Sequence, residues 1–503
     1  MTRVLDDISR TFHEYLLLPG KTTKEHVLSN VSLKVPLQKY KKGQESRLSL
    51  RIPFTAAAMQ SVSGVNLSVA LARKGGCSFV FCSQSIEDQA RMVRKVKEHK
   101  AGFVQSDSNL SPNATLQDAV DLRNKTGHST IPVTEDGSNN SKLVGILTSK
   151  DFWEFKDDLT KPVSDYYTSF ENLVYGQEGI SLNDATDLLW EHKKECLPIV
   201  DSTQRLVSLV FRRDYFDHKS NPDEFTDERK RLVVGAALNT FDYKDRLPAL
   251  MDAGVDALVL DSSDGYSEWQ AEAASWIKKE TGDAVSLGGG NVVTAEAFRY
   301  LVEAGNVDFV KIGIGGGSIC ITREQKGLGR GQASAVLEVA AERDRYYQET
   351  GIYIPICSDG GLDNDTNIIM ALALGADFVM MGKYFAMTHE SPTPKITYRN
   401  RAYKPYWGEG SNRARNWQRY KEGSSEGLAF EEGVDAYVPY SGPLADKVDI
   451  SIAKLKATMC NTGSLTIKEL HQNAVVTRVS ALTMVEGGTA SVEQLDKIYS
   501  DRE

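Results

Sequence analysis

One short unit recurs along this chain and limits what it can fold into. An amphipathic helix ends at a glycine, an Asp or small residue follows, and a short apolar strand begins: LMDAGVDALVLD at 250–261, LVEAGNVDFVKIG at 301–313 and LALGADFVMMG at 372–382. LARKGGCSFVF at 71–81 is a degenerate fourth copy. Gly254, Gly305 and Gly375 stand where a helix closes on a left-handed residue. The runs behind them are continuous and rich in β-branched residues, as in strands buried on both faces. IPFTAA (52–57), LVVGAA (232–237), AVSLG (284–288) and IYIPIC (352–357) bring the strands to eight. Eight strands alternating with helices predict an α/β fold, a (β/α)8 TIM barrel. The alternative is a doubly wound open sheet, but no G-x-G-x-x-G follows the first strand.

The alternation breaks between the second and third strands. Residues 105–222 carry a different repeat between two polar, turn-rich stretches, SDSNLSPN (106–113) and HKSNPDE (218–224). One copy lies at 115–152 and the other at 181–215; Pro132 pairs with Pro198 and Asp151 with Asp214, at offsets of 66 and 63. Each reads helix, strand, turn, strand and a basic–Asp ending. The pair resembles the tandem cystathionine-β-synthase (CBS, Bateman) module. That resemblance implies a nucleotide ligand, with Thr148 and Asp151 reaching its ribose, but Phe211 replaces the hydroxyl in the second copy. Nucleotide binding and a purely structural insertion both stay open. The expected organisation is 1–104 as the first part of the barrel, 105–222 as the CBS pair, and 223–503 as the rest of the barrel.

Composition narrows the function classes. At 503 residues the chain exceeds one mode-sized domain, and a net charge of −9 speaks against a broad nucleic-acid surface. No apolar run reaches the ~20 residues that span a bilayer. The opening MTRVLDDISRTF has no secretory pattern. The cysteines (Cys77, Cys82, Cys196, Cys320, Cys357 and Cys460) form neither a disulfide framework nor a C-x-x-C pair, and the histidines show no zinc spacing. These features predict a soluble, cytoplasmic enzyme with no membrane or nucleic-acid partner.

In a barrel of this kind the loops after the strands form the active face. The sixth such loop is KIGIGGGSICITREQKGLGRGQ (311–332). Its glycines, from Gly313 to Gly317, let backbone approach a ligand closely, and Cys320 follows where core packing is a poor explanation for a thiol. Cys77 and Cys357, inside apolar runs, read as small core residues. SDGG (358–361) and MGKYF (381–385) occupy the loops that often hold a phosphate in such barrels. Gly361, Gly382 and the cation of Lys383 suit that anion, and the acceptor-only carboxylate of Asp359 suits a ribose diol.

Together these motifs resemble one family, IMP dehydrogenase, along essentially the whole chain. GIGGGSICIT (313–322) is similar to its cysteine loop. RTFHEYLLLPG (10–20), AAMQSVSG (57–64), YWGEGS (406–411), RNWQRY (415–420) and EEGVDAYVPYSG (431–442) match further segments, the later ones resembling its nucleotide loop and mobile flap. The resemblance implies oxidation of IMP to XMP with NAD+ and water, the rate-controlling step of guanine nucleotide synthesis. Cys320 would add to the purine as a covalent thioimidate, and Arg419 and Tyr420 would activate the hydrolytic water, with Thr322 and Glu432 as a second proton route. Ser318, Gly360, Gly361, Gly382 and Lys383 would surround the phosphate, and Asp359 the ribose. Tyr406, Trp407, Gly408, Glu409, Gly410 and Glu432 would line the base and phosphate region. Asp261, Ser262, Ser263, Gly313, Ile314 and Gly315 would contact NAD, with Tyr266 and Trp269 stacking on adenine or simply packing their helix. Carbonyls of Gly315, Gly317 and Cys320 would bind a monovalent cation, K+, together with Glu486, Gly487 and Gly488 of a neighbouring subunit in a homotetramer.

Ala57, Lys383 and Glu409 depart from residues common in the family. Two rivals remain. GMP reductase shares the barrel and cysteine loop, but the Arg419–Tyr420 pair, the insertion and the chain length are expected to separate the two. A catalytically idle nucleotide sensor would not need Cys320, Thr322 and Arg419.

Overall fold

The computed structural model describes all residues except 1, 3, 100–102, 105, 107, 127, 140, 213–222, 230, 415–429 and 488–503. Eight parallel strands close into a barrel in strict chain order: β1 Phe54–Ala56, β2 Cys77–Val80, β3 Gly235–Leu238, β4 Ala257–Leu260, β5 Ser286–Val292, β6 Phe309–Ile312, β7 Ile356–Asp359 and β8 Phe378–Met381. The last pairs with the first, Met380 against Thr55, so no edge is left open. Almost every strand residue is buried, which is why the strands read as continuous apolar runs. Aromatic rings fill the centre: Phe309 lies 6.2 Å from Phe79 and 5.5 Å from Phe378. Glycine on the neighbouring strands makes the room; a Cβ on Gly288 would lie 2.2 Å from the Phe309 ring.

The helices α1 Val65–Arg73, α2 Ile86–Lys97, α3 Tyr243–Asp252, α4 Glu268–Thr281, α5 Ala295–Gly305, α6 Gln332–Thr350, α7 Asp365–Ala373 and α8 Leu444–Asn461 follow the strands in turn. After β8 a three-stranded antiparallel sheet, β9 Ile396–Tyr398, β10 Arg401–Trp407 and β11 Asp435–Pro439, precedes α8. Among the described residues no helix is long and apolar enough to cross a membrane.

Two local expectations need correction. Gly254 and Gly375 do take positive φ, +82° and +115°, but Gly305 is the last residue of α5 and Asn306 takes the left-handed turn at φ 56°. Asn tolerates that region, while Gly305 instead allows close packing: a Cβ there would meet Ala274 of α4 at 3.2 Å. The run 352–357 is not one strand. Pro355 has no N–H, and it separates Ile352–Tyr353, paired with Tyr40–Lys41 outside the barrel, from β7.

The chain divides into two compact units, 1–97 with 233–503, and 98–232. The smaller unit shows its internal repeat directly. Thr130–Thr134 pairs antiparallel with Leu143–Thr148, and Cys196–Val200 pairs the same way with Leu206–Phe211. Each hairpin has its own helix, Leu116–Thr126 or Leu182–Glu191. Leu143, Val200, Leu206 and Leu209 join the halves in one buried cluster. In the first copy Asp151 accepts from the Thr148 hydroxyl at 2.9 Å and its backbone N–H at 2.6 Å. The adjoining cavity, beside Arg123, His128 and Phe152, measures about 10 Å³, the size of one water. Asp214 lies outside the described residues.

Candidate active site

The loops at the C-terminal ends of the barrel strands surround a cavity of about 230 Å³. It brings together most of the residues singled out in the sequence: Asp261, Ser262 and Ser263 after β4; Gly313, Ile314, Gly315, Gly317, Ser318, Cys320 and Thr322 after β6; Asp359, Gly360 and Gly361 at β7; and Gly382 and Lys383 after β8. Tyr406, from β10, with Gly408, Glu409 and Gly410 just after it and Glu432 just before β11, complete the wall. Arg419, Tyr420 and Gly488 lie outside the described residues.

The cysteine loop is shaped by what its glycines permit. Gly313 has φ +135°, and a Cβ on it would lie 2.1 Å from the Asp359 carbonyl oxygen. Gly361 N–H donates to Gly316 O at 2.8 Å, tying this loop to the one after β7. Ile321 N–H donates to Glu432 O and Val434 N–H to Ile319 O, so the loop also pairs with the segment that leads into β11. That pairing sets a chain of protonatable groups. Cys320 Sγ lies 3.1 Å from Thr322 Oγ1, which donates to Glu432 Oε2 at 3.2 Å. Lys326 Nζ holds the other oxygen of Glu432 at 2.6 Å. Cys320 is partly exposed on this loop, whereas burial pushes the thiols of Cys77 and Cys357 well up, leaving them inert.

The wall beside this loop is polar. Asp359 Oδ2 accepts from Asn291 Nδ2 at 3.0 Å and pairs with Lys311 Nζ at 3.3 Å. Asn291 also donates to Gly313 O at 2.6 Å, so one side chain fixes both the carboxylate and the glycine loop. Lys383 pairs with Asp363 at 3.4 Å on the half-exposed rim. Tyr406 is hydrogen-bonded to Ser318, and burial pushes its phenol up from the ordinary value. A Cβ on Gly382 would lie 2.6 Å from the Tyr406 hydroxyl, so that contact needs glycine.

Other predicted residues sit elsewhere. Trp407 does not line the cavity; its indole donates to Gln60 Oε1 at 3.1 Å and Arg413 lies 3.9 Å from its ring. Tyr266 donates to Glu296 at 3.0 Å and packs edge-on against Tyr300, while Trp269 is 74% exposed; neither lines the cavity. Glu486 and Gly487 end the helix Ala481–Glu486, outside the cavity. Among the described residues no group of three or more His, Cys, Asp or Glu side chains could hold a metal ion.

Sequence reasoning missed Asn291, Lys311 and Asp363. A signal existed for two of them. Lys311 is the one charge in the apolar run FVKI that leads into the glycine loop, and Asn291 ends a run of three glycines, 288–290. A lone charge at the C-terminal end of a barrel strand belongs to the active face.

Comparison with known proteins decides the family. The family model described as "IMP dehydrogenase / GMP reductase domain" matches residues 9–490. The chain belongs to this family. It is 52% identical over 501 residues to an inosine-5'-monophosphate dehydrogenase from Tritrichomonas foetus, covering 99% of each chain. It is 37% identical to one from Aquifex aeolicus, covering 93% of each. A solved GMP reductase from Trypanosoma brucei, in complex with guanosine 5'-monophosphate, matches with a TM-score of 0.80 at 29% identity. It covers 97% of this chain and 98% of its own. Chain length and the inserted unit therefore do not separate the two activities, contrary to the expectation from sequence. The higher identity to the dehydrogenases does favour one of them.

Proposed function

We propose that this chain oxidises IMP to XMP: IMP, NAD+ and water give XMP, NADH and a proton. The observation that carries the reading is the Cys320–Thr322–Glu432 chain at the mouth of the glycine loop, supported by full-length identity to IMP dehydrogenases. Cys320 as thiolate adds to C2 of the purine, making that carbon tetrahedral. NAD+ supplies the hydride acceptor. Departure of hydride leaves a purine thioimidate on Cys320, and water then adds to C2 and expels the thiolate. Arg419 and Tyr420 are assigned to that water. Thr322 and Glu432 form a second route, because a carboxylate titrates at lower cost than a guanidinium.

Binding roles follow the wall chemistry. Asp359, backed by Asn291 and Lys311, takes the ribose diol. Ser318, Gly360, Gly361, Gly382 and Lys383 take the phosphate through backbone N–H, hydroxyl and ammonium donors. Tyr406, Gly408, Gly410 and Glu432 take the base edge, while the carboxylate of Glu409, in the same wall, is bonded to the loops after β1 and β2. The donor set also fits NAD: Asp261 offers a carboxylate to a ribose, and Gly313 and Gly315 present bare backbone beside Cys320. Ile314, Ser262 and Ser263 line the same side.

K+ suits the carbonyls of Gly315, Gly317 and Cys320, completed by Glu486, Gly487 and Gly488 of a second subunit in a homotetramer. The inserted unit is assigned as a CBS pair, on its repeated helix–hairpin halves. The Thr148–Asp151 bonds engage the two groups that a ribose would need, which favours the structural role over nucleotide binding. Six free cysteines suit a reducing cytoplasm.

GMP reductase is the second reading, favoured by the full-length match to one. One assay separates them: NADH formation at 340 nm from IMP and NAD+, against consumption of NADPH with GMP. IMP-dependent NADH formation supports the proposal, and GMP-dependent NADPH loss without it would replace the assignment.

A further inference from the structure

A buried carboxylate on the barrel face spends its bonds on other loops. Glu409, 9% exposed, follows β10. One of its oxygens accepts from the backbone N–H of Gln60 at 2.7 Å, and the other accepts from Ser83 Oγ at 2.6 Å. Gln60 lies in the loop after β1 and Ser83 in the loop after β2. The side chain of Gln60 closes the set: its nitrogen donates to Ser83 O at 3.0 Å and its oxygen accepts from the Trp407 indole at 3.1 Å. Ser61 Oγ donates to Trp407 O at 3.0 Å. Three loops from distant parts of the chain thus meet around one anion.

We propose that Glu409 is a positioning residue, whose side chain clamps the purine-edge loop, 408–411, against the loops after β1 and β2. The proposal rests on the reading of this cavity as the IMP site. Gln60 and Ser83 do not line the cavity, so they act on substrate only indirectly, and the carboxylate of Glu409 joins both of them to its wall. Two donors aimed at a buried carboxylate are expensive to leave unmade. A carboxamide keeps the arrangement, because its oxygen accepts from Gln60 N–H and its nitrogen donates to the rotatable Ser83 hydroxyl. A methyl group satisfies neither donor.

The test is steady-state kinetics on Glu409→Gln, Glu409→Ala, Ser83→Ala and the Ser83→Ala/Glu409→Ala double variant of the full chain. Glu409→Ala is expected to raise KM for IMP about tenfold or more, and Glu409→Gln to stay within about threefold of wild type. Ser83→Ala should raise KM for IMP several-fold and add little in the double variant, as coupled residues do. A Glu409→Gln variant as impaired as Glu409→Ala would show the charge acting on substrate, and overturn the clamp. So would a Ser83→Ala variant with unchanged KM for IMP, a result that does not depend on whether Glu409→Ala folds. Wild-type turnover of IMP tests the functional reading separately; were GMP the substrate, the same variants are read on KM for GMP.

Discussion

Asp359→Ala removes the carboxylate assigned to the ribose diol, and its effect can be sized from its surroundings. The side chain stands at the end of β7, held by Asn291 Nδ2 at 3.0 Å and Lys311 Nζ at 3.3 Å, both on Oδ2. These partners come from the ends of β5 and β6, so the carboxylate is fixed before substrate arrives. A hydrogen bond to a charged group contributes about 1.5–3 kcal/mol, so two to a diol amount to roughly 3–6 kcal/mol. The expected fall in kcat/KM is therefore on the order of 10²–10⁴-fold. The assay is NADH formation over a range of IMP concentrations, repeated with 2'-deoxy-IMP. Wild type should disfavour the deoxy substrate by about tenfold or more, and Asp359→Ala should hardly distinguish the two. Because Lys311 is 5% exposed, the variant also strands a cation, and adding Lys311→Met should restore thermal stability without restoring turnover. An Asp359→Ala enzyme that still prefers IMP as strongly as wild type would refute the reasoning, since the diol would then be read by another group.

Cys320→Ala should abolish NADH formation and leave IMP binding, measured by calorimetry, largely intact; turnover within about tenfold of wild type would sink the covalent route. Arg419→Ala should still release a burst of NADH, about one per active site, before a steady rate lower by roughly 10²–10⁴-fold. Adding Glu432→Gln should lower that residual rate further; hydride transfer slowed as much as turnover would place Arg419 in the redox step. A chain with residues 105–222 replaced by a short linker should keep near-wild-type turnover, and a folded but inactive product would put the insertion in the active machinery. Lys404 donates to the carbonyls of Thr388, His389 and Ser391, and burial pulls its amine down to about 8. From about pH 8 to the unfolded value near 10.4 the unfolded chain holds the extra proton, so stability rises with pH through that window. Relative to Lys404→Met, the wild-type denaturation midpoint should therefore climb between pH 8 and 10; a flat difference would place the amine's titration elsewhere.

The barrel was legible because each strand–helix unit announces itself locally. Burial on both faces forces continuous apolar runs, and helix ends need a residue tolerant of positive φ, so both signals fall within a dozen residues. The misreadings arose where neighbours decide. Gly305 looks like a helix terminator until the Ala274 surface of α4 is set beside it, and only the pairing of Tyr353 with Tyr40 shows that 352–357 serves two sheets.

The site divides along the same line. Gly313 to Cys320 is one uninterrupted stretch whose composition states its purpose: positive φ and a bare backbone are useless to a core but necessary beside a ligand. The groups that aim this loop come from elsewhere. Glu432 reaches Thr322 across 110 residues, Asn291 reaches Asp359 across 68, and Gln60 reaches Glu409 across 349. A single sequence contains no record of such pairings, because a carboxylate that will clamp a loop has the same composition as one that will sit in solvent. What distinguishes them is burial, and burial of a charge is decided by closure of the barrel. Closure brings β8 beside β1, and so brings the loop carrying Glu409 within reach of Gln60 and Ser83. The reactive atoms are therefore readable from one loop, while their alignment is a property of the closed ring.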